Sequence, residues 1–269
     1  MTKKVGVETI QDFGEQFTAY SKTSGYFGSV EILQDVLGSL MKVSDFSGSS
    51  VVDLGSGSGR WVKIFHKLGA RKITVIEPSN AIEVCKKNNA DLDNVTYHQT
   101  TGDKIPDGVY DVVYSFGVIH HIPEPEPVML RIFQVLSPGG KAVIWLYGRE
   151  NNGLYLTLIA FLRILTVSIS HSNLDKISAL MVHLVRFYSR LAKNLSLPLK
   201  DYMATVIDKL DNYDVKHVIY DQLNPHYAKY YRRQEGIDLL EKVGFEKVKV
   251  YHRGNYSWTV IGEKPNSIT

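Results

Sequence analysis

Val51-Val52-Asp53-Leu54-Gly55-Ser56-Gly57-Ser58-Gly59-Arg60 reads as a short β-strand that runs through a glycine-rich turn into a helix. Glycine in such a turn accepts positive φ and presents no Cβ, so the backbone can approach a ligand closely. Working outward, β-rich runs recur at Ser50–Leu54, Lys72–Ile76, Asn94–His98, Tyr110–Ser115 and Lys141–Leu146. Helical stretches at Gly59–Leu68, Ser79–Asn89 and Glu126–Leu136 separate them. This alternation predicts βαβ units and a mostly parallel sheet covered on both faces. Ligands of open α/β sheets bind at the carboxyl ends of the strands, which is where the glycine turn falls.

The flanks follow a different rhythm. Helices are expected at Glu8–Tyr20 and Ser29–Lys42, forming an N-terminal cap over residues 1–49. The βα pattern stops at about Glu150 and resumes near Tyr220. A helix at Gln234–Val243 and strands at Glu246–His252 and Ser257–Gly262 follow. The last two strands are joined by a short link and should pair antiparallel, leaving one reversed strand at an edge. The expected organisation is a core of residues 50–149 and 221–269 with a helical insertion at 150–220.

Bulk properties exclude several classes. A composition of 44% hydrophobic and 22% charged residues is that of an ordinary globular protein. A net charge of +3 gives no footprint for nucleic acid. The single cysteine, Cys85, forbids an internal disulfide and reads as a buried helix residue. Residues 1–14 lack the apolar core of a signal peptide. The longest apolar run, Leu154–Ile169, is shorter than the roughly 20 residues that span a bilayer. The expected location is therefore cytoplasmic, with contact at a membrane surface left open.

The residues around the turn narrow the ligand. The dinucleotide spacing G-x-G-x-x-G would place glycine where Arg60 stands, and the phosphate-loop ending Gly-Lys-Ser/Thr is absent. Asp53 ends the first strand and Glu77 the second. A carboxylate beside the turn repels pyrophosphate and attracts an ammonium or sulfonium group. Glu77 is placed to accept hydrogen bonds from ribose hydroxyls.

These motifs, with Tyr110-Asp111-Val112-Val113-Tyr114-Ser115, Val118-Ile119-His120-His121-Ile122 and Leu136-Ser137-Pro138-Gly139-Gly140, resemble the class I S-adenosylmethionine-dependent methyltransferases, particularly their small-molecule branch. The resemblance covers about residues 50–147. It implies a Rossmann-like, doubly wound, mostly parallel seven-stranded sheet with one antiparallel edge strand. It also implies S-adenosylmethionine as cofactor. The turn through Asp53, Gly55, Ser56, Gly57 and Gly59 would hold the methionine part, and Glu77 with Pro78 the ribose. Thr101, Gly102 and Asp103 would meet the adenine, although the family often has an aspartate where Thr101 stands. Ser115 and Phe116 would face the methionine or the transferring methyl, and Tyr20 would cap the cofactor. No residue is singled out as a metal ligand.

Methyl transfer to a hydroxyl needs a positioned acceptor and a proton acceptor. His120, and as alternative His121, is the expected base, since histidine suits proton transfer near neutral pH. The Asn/Asp-Pro-Pro-Tyr motif of amino-methylating nucleic-acid enzymes is absent after the fourth strand, so a small-molecule or carrier-linked acceptor is expected. A sugar of a glycan precursor or a secondary metabolite, methylated on oxygen, is the leading expectation. A nicotinamide-dependent oxidoreductase and a non-catalytic binding protein are the alternatives. Acceptor contacts are assigned to Tyr26, Tyr227, Tyr230, Tyr231 and Arg232.

Within the insertion, Ser172-Asn173-Leu174-Asp175 resembles a capping box, followed by an apolar stripe of Ile177, Leu180, Met181, Leu184, Tyr188, Leu191 and Leu195. Residues 154–200 hold six basic side chains and one acid, Asp175. The stripe is expected to pack on the sheet or a second subunit, or to lie against a membrane surface.

Overall fold

The protein is described here by a computed structural model covering residues 2–195 and 197–266. Seven strands form one sheet: β1 (Ser50–Leu54), β2 (Lys72–Ile76), β3 (Val95–His98), β4 (Tyr110–Phe116), β5 (Leu136–Tyr147), β6 (Glu246–Arg253) and β7 (Ser257–Glu263). Their order is β3-β2-β1-β4-β5-β7-β6. The first five strands are parallel, and β7 pairs antiparallel with both β5 and β6. The reversed strand thus belongs to the hairpin that closes one edge, with β6 outermost.

Alternation along the strands builds two cores. Val51, Val112 and Val143 face one side; Val52, Val113, Ala142 and Ile144 face the other. The first face is covered by α2 (Val30–Leu37) and α3 (Arg60–Lys67), through Ile32, Leu33, Val36, Trp61 and Phe65. The second is covered by α5 (Glu126–Val135) and α10 (Arg233–Glu241), through Val128, Met129, Ile132 and Leu240. Each buried Val, Ile or Leu stabilises the fold by roughly 1.5–3 kcal/mol, so a sheet apolar on both faces must sit between two helical layers.

The punctuation works as local chemistry requires. Ser79 stands two residues before α4 (Ala81–Asn88); its hydroxyl accepts from the amide of Ala81 and donates to Glu77. After α5 the chain enters β5 directly at Leu136, and Ser137–Gly140 form an irregularity between the Tyr110–Leu136 and Val112–Lys141 pairs. Strand order turns back at β1, whose neighbours β2 and β4 lead in opposite directions along the sheet. The glycine turn lies at that crevice.

The N-terminal helix α1 (Thr2–Ala19) and four helices of the insertion lie beyond the sheet: α6 (Gly153–Thr166), α7 (His171–Asn194), α8 (Lys200–Thr205) and α9 (Asn212–Leu223). The expected capping box is not formed. Helix α7 already begins at His171, Ser172 lies inside it, and Asp175 instead accepts from Tyr20 Oη and pairs with Lys216. Tertiary partners for the carboxylate displace the local cap. Nor does the whole apolar stripe pack inward. Met181 and Tyr188 join the core, whereas Leu180 and Leu184 are 71% and 64% exposed. The buried face of α7 is Leu174, Ser178, Val182, Ser189 and Ala192.

Candidate active site

The glycine turn is shaped by positive φ at Gly55, Gly57 and Gly59. At Gly55, with φ +74°, a Cβ would lie 2.2 Å from Val118, so a side chain is excluded on two grounds. Glu77 ties the turn to the next strand. One carboxylate oxygen accepts from the amide of Gly57 at 3.0 Å, and the other from the amide and hydroxyl of Ser79 at 3.0 and 2.6 Å.

Asp53 is different. It is 1% exposed, and neither carboxylate oxygen has a hydrogen-bond partner. Burial pushes its pKa from 3.8 up to about 7. A buried carboxylate costs several kcal/mol unless a cation or donors offset it. The Ser56 hydroxyl and the Arg60 charge offset this burial only in part, and Asp53 lies behind the turn rather than on the cavity wall.

A cavity of about 490 Å³ opens beside the turn. One end is lined by Gly55, Glu77, Pro78, Thr101, Gly102, Asp103 and Phe116. These are among the expected cofactor positions; Asp53, Ser56, Gly57 and Gly59, also expected there, do not line the cavity. The turn presents Gly55 to it, while Asp53 and Ser56 are buried, Gly57 faces Phe17 of α1 and Gly59 faces Cys85 of α4. Gly102 is pinned, since a Cβ there would meet Val128 at 2.8 Å and Leu54 at 3.0 Å. Helix α1 covers the cavity with Ile10, Phe13 and Phe17. The other end is walled by Trp145, Tyr147, Tyr155, Tyr202, Tyr230 and Tyr256.

Several expected residues fall elsewhere. Ser115 is fully buried outside the lining, because successive residues of β4 face opposite sides of the sheet and Phe116 takes the cavity side. The Tyr20 hydroxyl donates to Asp175 at 2.6 Å and its ring stacks on His217, so it is not a cofactor cap. Tyr26 donates to Asp35 and also lies outside the cavity. Of the acceptor cluster only Tyr230 lines it. Tyr231 bridges to β5 at Gly148 and points into the second core, Arg232 is exposed ahead of α10, and Tyr227 contributes only its carbonyl, to His121.

The two histidines separate in the same way. They sit in a 3-10 turn, Ile119–His121, which sends successive side chains about a third of a revolution apart. His120 is fully buried, stacks on Tyr147 at 3.9 Å and has no hydrogen-bond partner on either nitrogen. Burial holds its pKa well below 6.5. It does not line the cavity; His121 does. The Nδ1 of His121 is 2.7 Å from the carbonyl of Tyr227, which can only accept, so the proton sits on Nδ1 and Nε2 is the free base. Burial lowers the His121 pKa to about 4, which keeps the ring neutral at physiological pH.

Sequence reading missed the far wall. Tyr147 donates to Asp221 at 2.7 Å and accepts from Gln222 at 2.7 Å, while Tyr155 donates to Gln222 at 2.7 Å. Gln16 of α1 donates to Asp221 at 2.8 Å and lies 3.1 Å from His217 Nε2. These residues come from α1, β5, α6 and α9 and share no motif. Cys85 is buried against Gly59, where burial pushes its thiol pKa up. Among the described residues no cluster of His, Cys, Asp or Glu is placed to hold a metal.

Comparison with known proteins agrees with this geometry. Residues 52–144 match the family model described as a methyltransferase domain. The ubiquinone biosynthesis O-methyltransferase of Schizosaccharomyces pombe is 30% identical over 132 residues, 46% of this chain and 44% of that protein. The phosphoethanolamine N-methyltransferase 2 of Caenorhabditis elegans is 26% identical over 157 residues, 55% of this chain and 34% of that one. The chain thus spans less than half the length of these two relatives. Human N-acetylserotonin methyltransferase, solved in complex with SAM, shares the fold at a TM-score of 0.54 and 15% identity, covering 94% of this chain and 56% of that one. Residues 52–144 thus form a methyltransferase domain of the class I S-adenosylmethionine-dependent kind, with S-adenosylmethionine as its cofactor.

Proposed function

We propose that the chain transfers the methyl of S-adenosylmethionine to a hydroxyl of a flat, largely apolar small molecule. The observation that carries this reading is His121, a neutral imidazole on the cavity wall whose Nδ1 is bonded and whose Nε2 is left to accept a proton. The cofactor supplies a methyl on a cationic sulfur, transferred in line to the acceptor oxygen. Asp53, from behind the turn, would attract its positive end; Glu77 would hold its ribose, and Thr101 through Asp103 its adenine. The apolar helix α1 and the aromatic wall exclude water and orient the acceptor.

A base whose conjugate acid has a pKa of about 4 is weak. It matches an acidic, phenol-like hydroxyl better than a sugar alcohol. The wall argues the same way, because Tyr147, Tyr155, Asp221 and Gln222 bond one another and present few free groups to a sugar. The expected glycan acceptor is therefore set below an aromatic one. Calorimetry with S-adenosylmethionine, followed by a screen of labelled methyl transfer to phenols, sugars and amines, tests the reading. No cofactor binding, or transfer to amines alone, would overturn it.

We further propose that α6 and α7 rest on an anionic lipid surface. No helix of the described residues is long and apolar enough to cross a membrane. Yet Leu154, Leu158, Phe161 and Ile164 of α6 are exposed, as are Ile177, Leu180, Leu184, Phe187 and Leu191 of α7. Exposed apolar area on this scale needs cover. Part of the local basicity is absorbed by the fold: Arg163 and Arg186 donate to backbone carbonyls and Lys193 pairs with Asp208. Lys176 and Arg190 stay exposed beside the stripe. Two copies facing each other would bring these cations together, whereas anionic headgroups would pair with them.

A further inference from the structure

We propose that Arg60 is the carboxylate-binding residue of the cavity. The inference rests on the methyltransferase reading above and adds the chemistry of a subsite to it. Arg60 is the first residue of α3, directly after the glycine turn, and its half-buried side chain lines the cavity. Its guanidinium stands over three rings, 5.0 Å from Phe27, 5.4 Å from Trp61 and 5.3 Å from Phe116. No hydrogen bond or ion pair engages it among the described residues, and burial lowers its pKa.

Other arginines of the chain show what a satisfied guanidinium looks like here. Arg253, which also lines the cavity, is paired with Asp35 through Nε at 2.9 Å and a terminal nitrogen at 2.5 Å. Arg163 and Arg186 donate to backbone carbonyls. Arg60 is in direct contact only with aromatic faces, which attract the cation but accept none of its N–H donors in a planar fork. The nearby acid, Asp53, is not in contact with it and is itself without a partner. Asp221, Asp53 and Asp214 act on the guanidinium from a distance but none pairs with it, so its donors are left for a ligand; a guanidinium is matched in geometry by a carboxylate, which it binds through two parallel hydrogen bonds.

Its place in the cavity ties the anion to the reaction. Phe116, beneath Arg60, stacks on Trp145 at 4.3 Å, Trp145 meets Tyr147 edge-on at 5.5 Å, and Tyr147 stacks on Tyr230 at 5.3 Å. Arg60 heads this aromatic floor at the end nearest the turn. A carboxylate there belongs either to the amino-acid end of the cofactor or to an acceptor lying along the floor. The chemistry is the same, and experiment separates the sources.

The test is calorimetry on the full chain and on Arg60→Met, with Arg60→Lys as the conservative variant and thermal melting as the check of folding. The ligands are S-adenosylmethionine against its decarboxylated analogue, then benzoate against benzamide with S-adenosylhomocysteine present. If the cofactor supplies the carboxylate, Arg60→Met weakens S-adenosylmethionine about 10- to 100-fold, leaves the decarboxylated analogue unchanged, and is partly rescued by Arg60→Lys. If the acceptor supplies it, cofactor affinity is unchanged, benzoate binds the native chain better than benzamide, and Arg60→Met abolishes that preference. Arg60→Met that folds and binds all four ligands as the native chain does would overturn the proposal. Failure of the native chain to bind S-adenosylmethionine would instead remove the function on which it rests.

Discussion

Replacing Asp53 by asparagine should stabilise the free protein and weaken its cofactor binding, both in a pH-dependent way. The buried carboxyl has its pKa raised from 3.8 to about 7 by desolvation. In the unfolded chain it ionises near 3.9. Below about pH 4 it is neutral in both states and favours neither. Between about pH 4 and 7 the unfolded chain ionises while the folded one does not, so stability falls as pH rises; above about 7 the loss is complete. At roughly 1.4 kcal/mol per pH unit the full penalty is about 4 kcal/mol, of which about 3 kcal/mol accrues between pH 5 and 8. Asparagine does not titrate, and its own burial cost is constant with pH. The stability of Asp53→Asn minus that of the native chain should therefore rise by about 3 kcal/mol from pH 5 to 8 in urea unfolding. Binding should respond in the opposite sense. At pH 8 the native carboxylate attracts the cationic cofactor, and the variant should bind roughly 100-fold more weakly; below about pH 6 the two should converge as the native acid protonates. Calorimetry in buffers of different ionisation enthalpy should show proton release from the native chain near pH 6.5 and none from the variant. A stability difference and an affinity ratio that stay constant from pH 5 to 8 would refute the raised pKa of the buried acid.

His121→Gln should lower turnover on the order of 100-fold at unchanged cofactor affinity, whereas His120→Phe should chiefly alter the melting temperature; the reverse pattern in steady-state kinetics would return the base to His120. Gly55→Ala must place a Cβ 2.2 Å from Val118 at a φ of +74°, so it should cost about 2 kcal/mol or more in a thermal melt and reduce cofactor affinity at least tenfold. The native chain should sediment with anionic vesicles and not with neutral ones, and Leu180→Asp with Leu184→Asp should abolish this. Equal sedimentation by that variant, or a native dimer in solution that the variant splits, would reject the lipid surface.

What could be read in the sequence follows from how locally each feature is determined. Strands β1 and β2 fall where the apolar runs place them, because a strand buried on both faces leaves an unbroken β-branched run between turn residues. Around the turn the sequence singles out Gly55, Glu77, Pro78, Thr101, Gly102, Asp103 and Phe116, which do line the cavity, but not which residues of the turn face inward. His120 and His121 show the limit of that reading: adjacent in sequence, they point apart, and only the geometry of a single 3-10 turn selects His121. Tyr230 and Tyr231 part in the same way once Tyr231 is bridged to Gly148, which directs one ring to the cavity and the other to the core.

The acceptor end was illegible for a further reason. Its polar wall joins Gln16, Tyr147, Tyr155, Asp221 and Gln222, residues up to 206 positions apart that meet only because α1 and α9 pack over the end of β5. No single element carries a pattern there; α9 contributes Asp221 and Gln222, α1, β5 and α6 one side chain each, and hydrogen bonds link the five. That linkage carries functional meaning. A wall on which Tyr147, Tyr155, Asp221 and Gln222 already bond one another rewards an apolar acceptor face, and it leaves Arg60 as the cavity-lining cation with no direct partner among the described residues. Substrate discrimination in this molecule would then come from the contrast between a hydrogen-bonded polar network at one end and, at the other, a guanidinium with no direct partner standing near a buried acid.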